Sequence, residues 1–181
     1  MLKVISLVVV VGIALLLIYA AAQPDTFRVE RSLRMNAAPD KIFSMIDDLR
    51  RFNRWNPFEK KDPQIKGQYA DRTVGPGAAY TWEGSKAGSG RMEIVGILPD
   101  QRVTMKLDFV KPFEAHNLVD FTLTPETEAG SDKSVTRVTW TISGPLPYIS
   151  KLMSVFFSMD RMIGRDFEDG LNNLKTLAEA R

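Results

Sequence analysis

ISKLMSVFFSMDRMIGRDFEDGLNNLKTLAEA, residues 149–180, is the stretch on which the fold turns. Within it Leu152, Phe156, Met159, Ile163, Phe167, Leu171, Leu174 and Ala178 recur at steps of three and four, the spacing that lines one face of an α-helix. A single helix from Ile149 to Ala180 would be about 48 Å long. Its apolar stripe needs a surface of matching length to cover it. Gly164 and Gly170 inside the stripe cost about 1 kcal/mol each in helix propensity, which points to a bend or a close backbone approach there.

The surface that covers the helix lies upstream. Gly144-Pro145-Leu146-Pro147 separates the helix from a long alternating region, Ile65 to Ser143, whose apolar and polar residues exchange places every second position. Breaks fall at Gly75-Pro76-Gly77, Gly84 to Gly90, Pro99-Asp100, Lys111-Pro112 and the polar run Glu126 to Lys133. Connections this short join antiparallel strands, because a parallel crossover needs a dozen residues or more. Further upstream, Phe27 to Met35 alternates as a first strand, with Arg31 alone breaking the apolar face. Pro39 opens a helix that buries Ile42, Phe43 and Ile46, and a second short helix through Leu49 and Phe52 ends near Trp55-Asn56-Pro57. The expected architecture is α+β: a curved antiparallel sheet of six to seven strands around a long C-terminal helix, with two short helices after the first strand.

Composition removes many functions. The 181 residues carry a formal charge of +2, which argues against a nucleic-acid partner. With no cysteine and one histidine, His116, there is no disulfide scaffold, thiolate metal site or histidine cluster, and neither a metal nor a cofactor is expected. Residues 4–22 form an uncharged apolar run; as a helix it would be about 28 Å long, the thickness of a bilayer core. Two readings stand: a single-pass membrane anchor, or a signal peptide cleaved after Ala20-Ala21-Ala22. An anchor acting as an export signal places the remainder outside the cytoplasm; cleavage leaves a secreted or periplasmic protein. Residues 1–23 are thus set apart from a domain spanning 24–181, whose 23 basic and 22 acidic side chains make a mixed soluble surface.

Ala37-Ala38-Pro39-Asp40-Lys41-Ile42-Phe43-Ser44-Met45-Ile46-Asp47-Asp48, followed by Trp55-Asn56-Pro57, resembles the opening of the SRPBCC superfamily, the helix-grip group of START domains, pollen-allergen-like proteins and polyketide cyclases. Gly75-Pro76-Gly77 through Trp82, Gly90 to Ile94, and Phe167 to Lys175 are similar to the bacterial polyketide cyclase/dehydrase-like branch. The resemblance covers roughly residues 25–180. It implies a deep apolar cavity between sheet and C-terminal helix, which members use for lipids, steroids or aromatic polyketides.

Strand alternation places the cavity candidates Arg31, Tyr80, Trp82, Met92, Met105, Asn117, Phe121 and Trp140 on the inner face, and Phe156 and Met159 on the helix facing them. The same residues also suit an ordinary core. Asn117 and Arg31 are its polar exceptions: each either anchors a ligand oxygen or pairs internally, and Arg31 has the further option of reaching water at the rim. His116 shares a face with Glu114, Asp120 and Thr122, so it points to solvent, and no catalytic residue is singled out. Arg50, Arg51, Arg54, Lys60 and Lys61 form a basic cluster that suits either anionic headgroups or plain solvation. The leading reading is a membrane-tethered or exported binding domain for an apolar small molecule or lipid, with residues 4–22 in the membrane. The alternatives are a cyclase or dehydrase acting on an aromatic substrate, and a protein-interaction module of the chaperone-ATPase-activator kind.

Overall fold

The alternation across residues 65–143 becomes strands that pair with their sequence neighbours, and the computed structural model describes residues 1–62, 64–126, 134–156 and 158–180, the side chains of Leu2, Phe156 and Met159 excepted. In chain order the elements are α1 (Leu2–Ala21), β1 (Thr26–Met35), α2 (Pro39–Ile46), α3 (Leu49–Trp55), α4 (Pro57–Lys61), β2 (Lys66–Tyr69), β3 (Ala79–Gly84), β4 (Gly88–Leu98), β5 (Arg102–Lys111), β6 (Ala115–Glu126), β7 (Val135–Pro145), α5 (Tyr148–Phe156) and α6 (Met159–Glu179). The strands form one antiparallel sheet in the order β1-β7-β6-β5-β4-β3-β2. Register shifts in β4, at Ser89/Gly90 and Ile94/Gly96, add the local twist that curves it. Of the expected break from Glu126 to Lys133, residues 127–133 lie outside the described set.

Beside the two expected short helices there is a third, α4, which starts because the Asn56 side chain accepts from Phe58 N at 3.2 Å and Pro57 occupies the first turn. The expected continuous helix is two helices. Ser158 caps α6, its hydroxyl accepting from Arg161 N at 3.2 Å, so the apolar stripe changes direction at the cap. Neither glycine lies at that break. A Cβ on Gly170 would fall 2.6 Å from the Trp140 ring and 3.0 Å from Pro57 Cδ, and one on Gly164 would fall 2.0 Å from the Arg31 guanidinium. Close approach, rather than bending, accounts for both.

α6 runs beside β1 in the same direction, with Arg31 against Asp160 and Glu168, Lys175 on Arg34 O and Glu179 on Asn36 N. α2 and α3 close the end of the sheet where β1 finishes, burying Ile42, Phe43, Ile46, Leu49, Phe52 and Trp55. The Lys3–Ala21 stretch of α1 is long and apolar enough to cross a membrane, and its side chains stand clear of the sheet. Its C-terminal turn and the residues just after it meet α5 instead: Tyr148 Oη donates to Leu17 O at 3.1 Å, and Lys151 Nζ donates to Gln23 O and to Asp25 at 2.9 and 2.6 Å.

Candidate functional site

The inner face divides into a filled half and a half-covered one. In the filled half, the Trp140 and Phe167 rings stack with centroids 4.0 Å apart and planes 9° from parallel. Phe121, Phe52 and Trp55 close round Trp140 at 4.9, 6.4 and 5.6 Å. These rings come from β6, β7, α3 and α6, so the plug exists only once strand, short helix and long helix have met. The deep cavity expected from the resemblance is, at this level, an aromatic core.

Towards the end of the sheet where β1 begins, the cover thins. Trp82, Leu107 and Phe109 on the inner face are half-buried, and Trp82 meets Phe109 edge to face at 5.6 Å. The Trp82 ring lies across Gly90, where a Cβ would fall 2.6 Å from it; only glycine lets the ring lie flat on β4. Ile163 of α6, one turn before Phe167, is half-buried too. Met92 and Met105 continue this strip into the buried wall, supplying soft, adaptable side chains.

Two polar groups belong to the wall. Asn117, directly opposite Leu107, is 9% exposed, its amide oxygen lies over Gly144, and among the described residues its side chain makes no hydrogen bond. Trp140 Nε1 is buried without a hydrogen-bond partner among the described residues. An unsatisfied buried donor costs about 1–3 kcal/mol, a cost that falls on Trp140 Nε1 inside the aromatic plug.

The remaining candidates are engaged elsewhere. Arg31 faces Trp140 across the β1–β7 ladder, but its guanidinium turns outward to Asp160 at 2.8 and 3.0 Å and to Glu168 at 2.8 Å. These carboxylates raise its pKa further, and Arg31 in turn lowers that of Asp160. Tyr80 is buried and donates to Glu59 of α4 at 2.5 Å; burial first, and then this hydrogen bond, push the phenol above its ordinary range. Phe156 and Met159 have side chains outside the described residues. The structure therefore brings Tyr80, Trp82, Met92, Met105, Asn117, Phe121 and Trp140 onto one wall and leaves the Arg31 head at the rim.

His116 is exposed on the outer face, with Nδ1 2.7 Å from Asp108 and Nε2 3.3 Å from Glu114. The hydrogen bond to Asp108 is the main cause of its raised pKa. The basic cluster is partly engaged: Arg51 with Asp48, Lys61 with Asp166, Arg50 over the Tyr69 ring. Asp62 had no signal in the sequence. It is 1% exposed and accepts from Lys86 N and Ala87 N at 2.8 and 3.1 Å, pinning the β3–β4 turn to the end of α4. An open recess of about 570 Å³ adjoins the half-covered strip, lined by Trp82 and Gly90 together with Lys66, Glu83 and Lys111, and a second of about 450 Å³ lies between α1 and α5.

A curved antiparallel sheet that grips a C-terminal helix over an apolar inner face defines the helix-grip class of the SRPBCC superfamily. Residues 26–179 match the family described as polyketide cyclase / dehydrase and lipid transport, and the chain belongs to that family. Solved structures share the fold. Hypothetical protein jhp0584 from Helicobacter pylori aligns with TM-score 0.61 at 11% identity over 89% of this chain and 92% of that one. DynU16, a putative protein in the dynemicin biosynthetic locus, aligns at 0.57 with 18% identity over 87% of this chain and 48% of that one. Ara h 8.0201 aligns at 0.53 with 15% identity over 84% and 97%. No curated protein matches the chain in sequence.

Proposed function

We propose that the chain is a carrier: residues 24–181 form a binding domain that holds an apolar small molecule or lipid against the inner face, and α1 tethers it to a membrane. The observation that carries this reading is the half-covered strip of Trp82, Leu107 and Phe109, continuous with the buried methionines Met92 and Met105. Taking a large apolar side chain from exposed to fully covered is worth about 1.5–3 kcal/mol, and these three have part of that still to gain, so together they reward an apolar ligand. The Asn117 amide, opposite Leu107, suits a ligand whose apolar body carries a carbonyl or hydroxyl.

The titratable groups argue for binding rather than proton transfer. His116 faces away, the Tyr80 phenol is held protonated against Glu59, and Arg31 is occupied by α6. The family description, which couples cyclases and dehydrases with lipid transport, supports the ligand class. Native mass spectrometry of purified residues 24–181 tests the reading, with extraction of whatever accompanies them. One apolar molecule per chain is expected. Phe109→Ala should weaken its rebinding about tenfold, from roughly 1.5 kcal/mol of lost apolar contact, while His116→Ala should leave it intact. An empty protein that takes up neither lipids nor hydrophobic dyes sinks the carrier reading.

A further inference from the structure

Antiparallel pairing puts the start of β1, the end of β7, the β3–β4 turn and the β5–β6 turn at one end of the sheet. α1 departs from that end, with residues 22–25 between Ala21 and Thr26, a span of at most about 14 Å. The same end carries a set of unpartnered apolar side chains. Phe113 on the β5–β6 turn is 72% exposed and Val110 near the end of β5 64%; on α5 Ile149 is 67% exposed and Met153, one turn on, 49%. The other side of α5 is fixed by the buried Lys151, held by Asp25 and Gln23 O. Tyr148 reaches Leu17 O, four residues or about 6 Å before the end of α1.

We infer that this end of the domain is a membrane-docking surface, with α5 lying in the interfacial layer and the β5–β6 turn dipping into it beside α1. The inference rests on α1 being a membrane span, as proposed above. Its occupant is a lipid surface because α5 is bonded directly to the last turns of a bilayer-length helix, and the docked surface is continuous with that helix. The 6 Å offset matches the depth of about 5–10 Å at which amphipathic helices lie in the headgroup–acyl boundary, a level that also suits a tyrosine. Trp82, Leu107 and Phe109 lie toward this same end, so the mouth of the grip faces the bilayer and a lipid passes between them without crossing water.

The chain has no cysteine, so single nitroxide labels report without background. Full-length protein in phosphatidylcholine nanodiscs would carry Val10→Cys, Phe113→Cys, Ile149→Cys, Met153→Cys or Thr124→Cys, and collision with oxygen would be compared with collision with a water-soluble nickel chelate. The expected result is an oxygen-to-nickel ratio several-fold higher at 113, 149 and 153 than at the outer-face control 124, approaching that at 10. If 10 lies in lipid while 113, 149 and 153 match 124, the docking surface is overturned and the tether stands. If 10 itself is aqueous, the tether falls and the docking surface with it. Labels shielded from both reagents mean that a second copy of the chain covers the face, which also overturns the inference.

Discussion

Asp62 holds the β3–β4 turn through its carboxylate, and three backbone N–H groups, those of Lys86, Ala87 and Gln64, depress its pKa. A carboxyl whose folded pKa lies below the unfolded value near 3.9 stabilises the protein fully above that value and ceases to as pH falls through the folded one. Asp62→Asn keeps the shape and removes the charge. Its melting temperature should therefore be lower than wild type at pH 7, with the gap closing below about pH 4 as the wild-type carboxyl is protonated. Thermal melts across that range check this; a gap independent of pH would mean that the charge is not what holds the turn. Flanked by Lys61 and Pro63, Asp62 has no local pattern to mark its hold on the turn, because Lys86 and Ala87 lie more than twenty residues on. His116 is the opposite case: strand alternation alone assigned it to the outer face, where it lies.

At the level of elements, the stripe from Leu152 to Ala178 was legible, but its division into α5 and α6 was not. Heptad-like spacing runs unbroken through Ser158, and a serine becomes a cap only where its own backbone leaves the helical region, as that of Ser158 does. The two glycines of α6 give a paired test. Gly170→Ala gains about 1 kcal/mol of helix propensity but drives a methyl into the rigid Trp140 ring and Pro57, at a cost of about 1–3 kcal/mol. It should destabilise the protein on balance. Gly164→Ala meets only the far end of the flexible Arg31 side chain; the gain in helix propensity offsets the strain on its bonds to Asp160 and Glu168, so the variant should be close to neutral. Chemical denaturation of the two variants compares them directly; a stabilised Gly170→Ala protein would show that ring and helix are not in contact.

Across the whole molecule, the contiguous core draws its residues from β1 to α6 and none from α1. A chain beginning at Pro24 should therefore keep its far-ultraviolet sheet signal and a single cooperative melt, while α5, deprived of Leu17 O and Gln23 O, exchanges its amides faster. Loss of cooperativity would tie the core to α1. By itself the sequence determined the succession of strands along the chain, their inner and outer faces, the bilayer-length apolar run and the absence of thiol or histidine-cluster chemistry. All of these are written in spacings between near neighbours along the chain. Only the tertiary structure decided that β1 pairs with β7, that Trp140 and Phe167 fill half of the grip, that Arg31 binds Asp160 and Glu168 instead of facing a ligand, and which end of the sheet stays open. The physical reason is separation: Arg31 and Glu168 are 137 residues apart, and contacts at that distance are chosen by how whole elements pack, which leaves no mark on local periodicity.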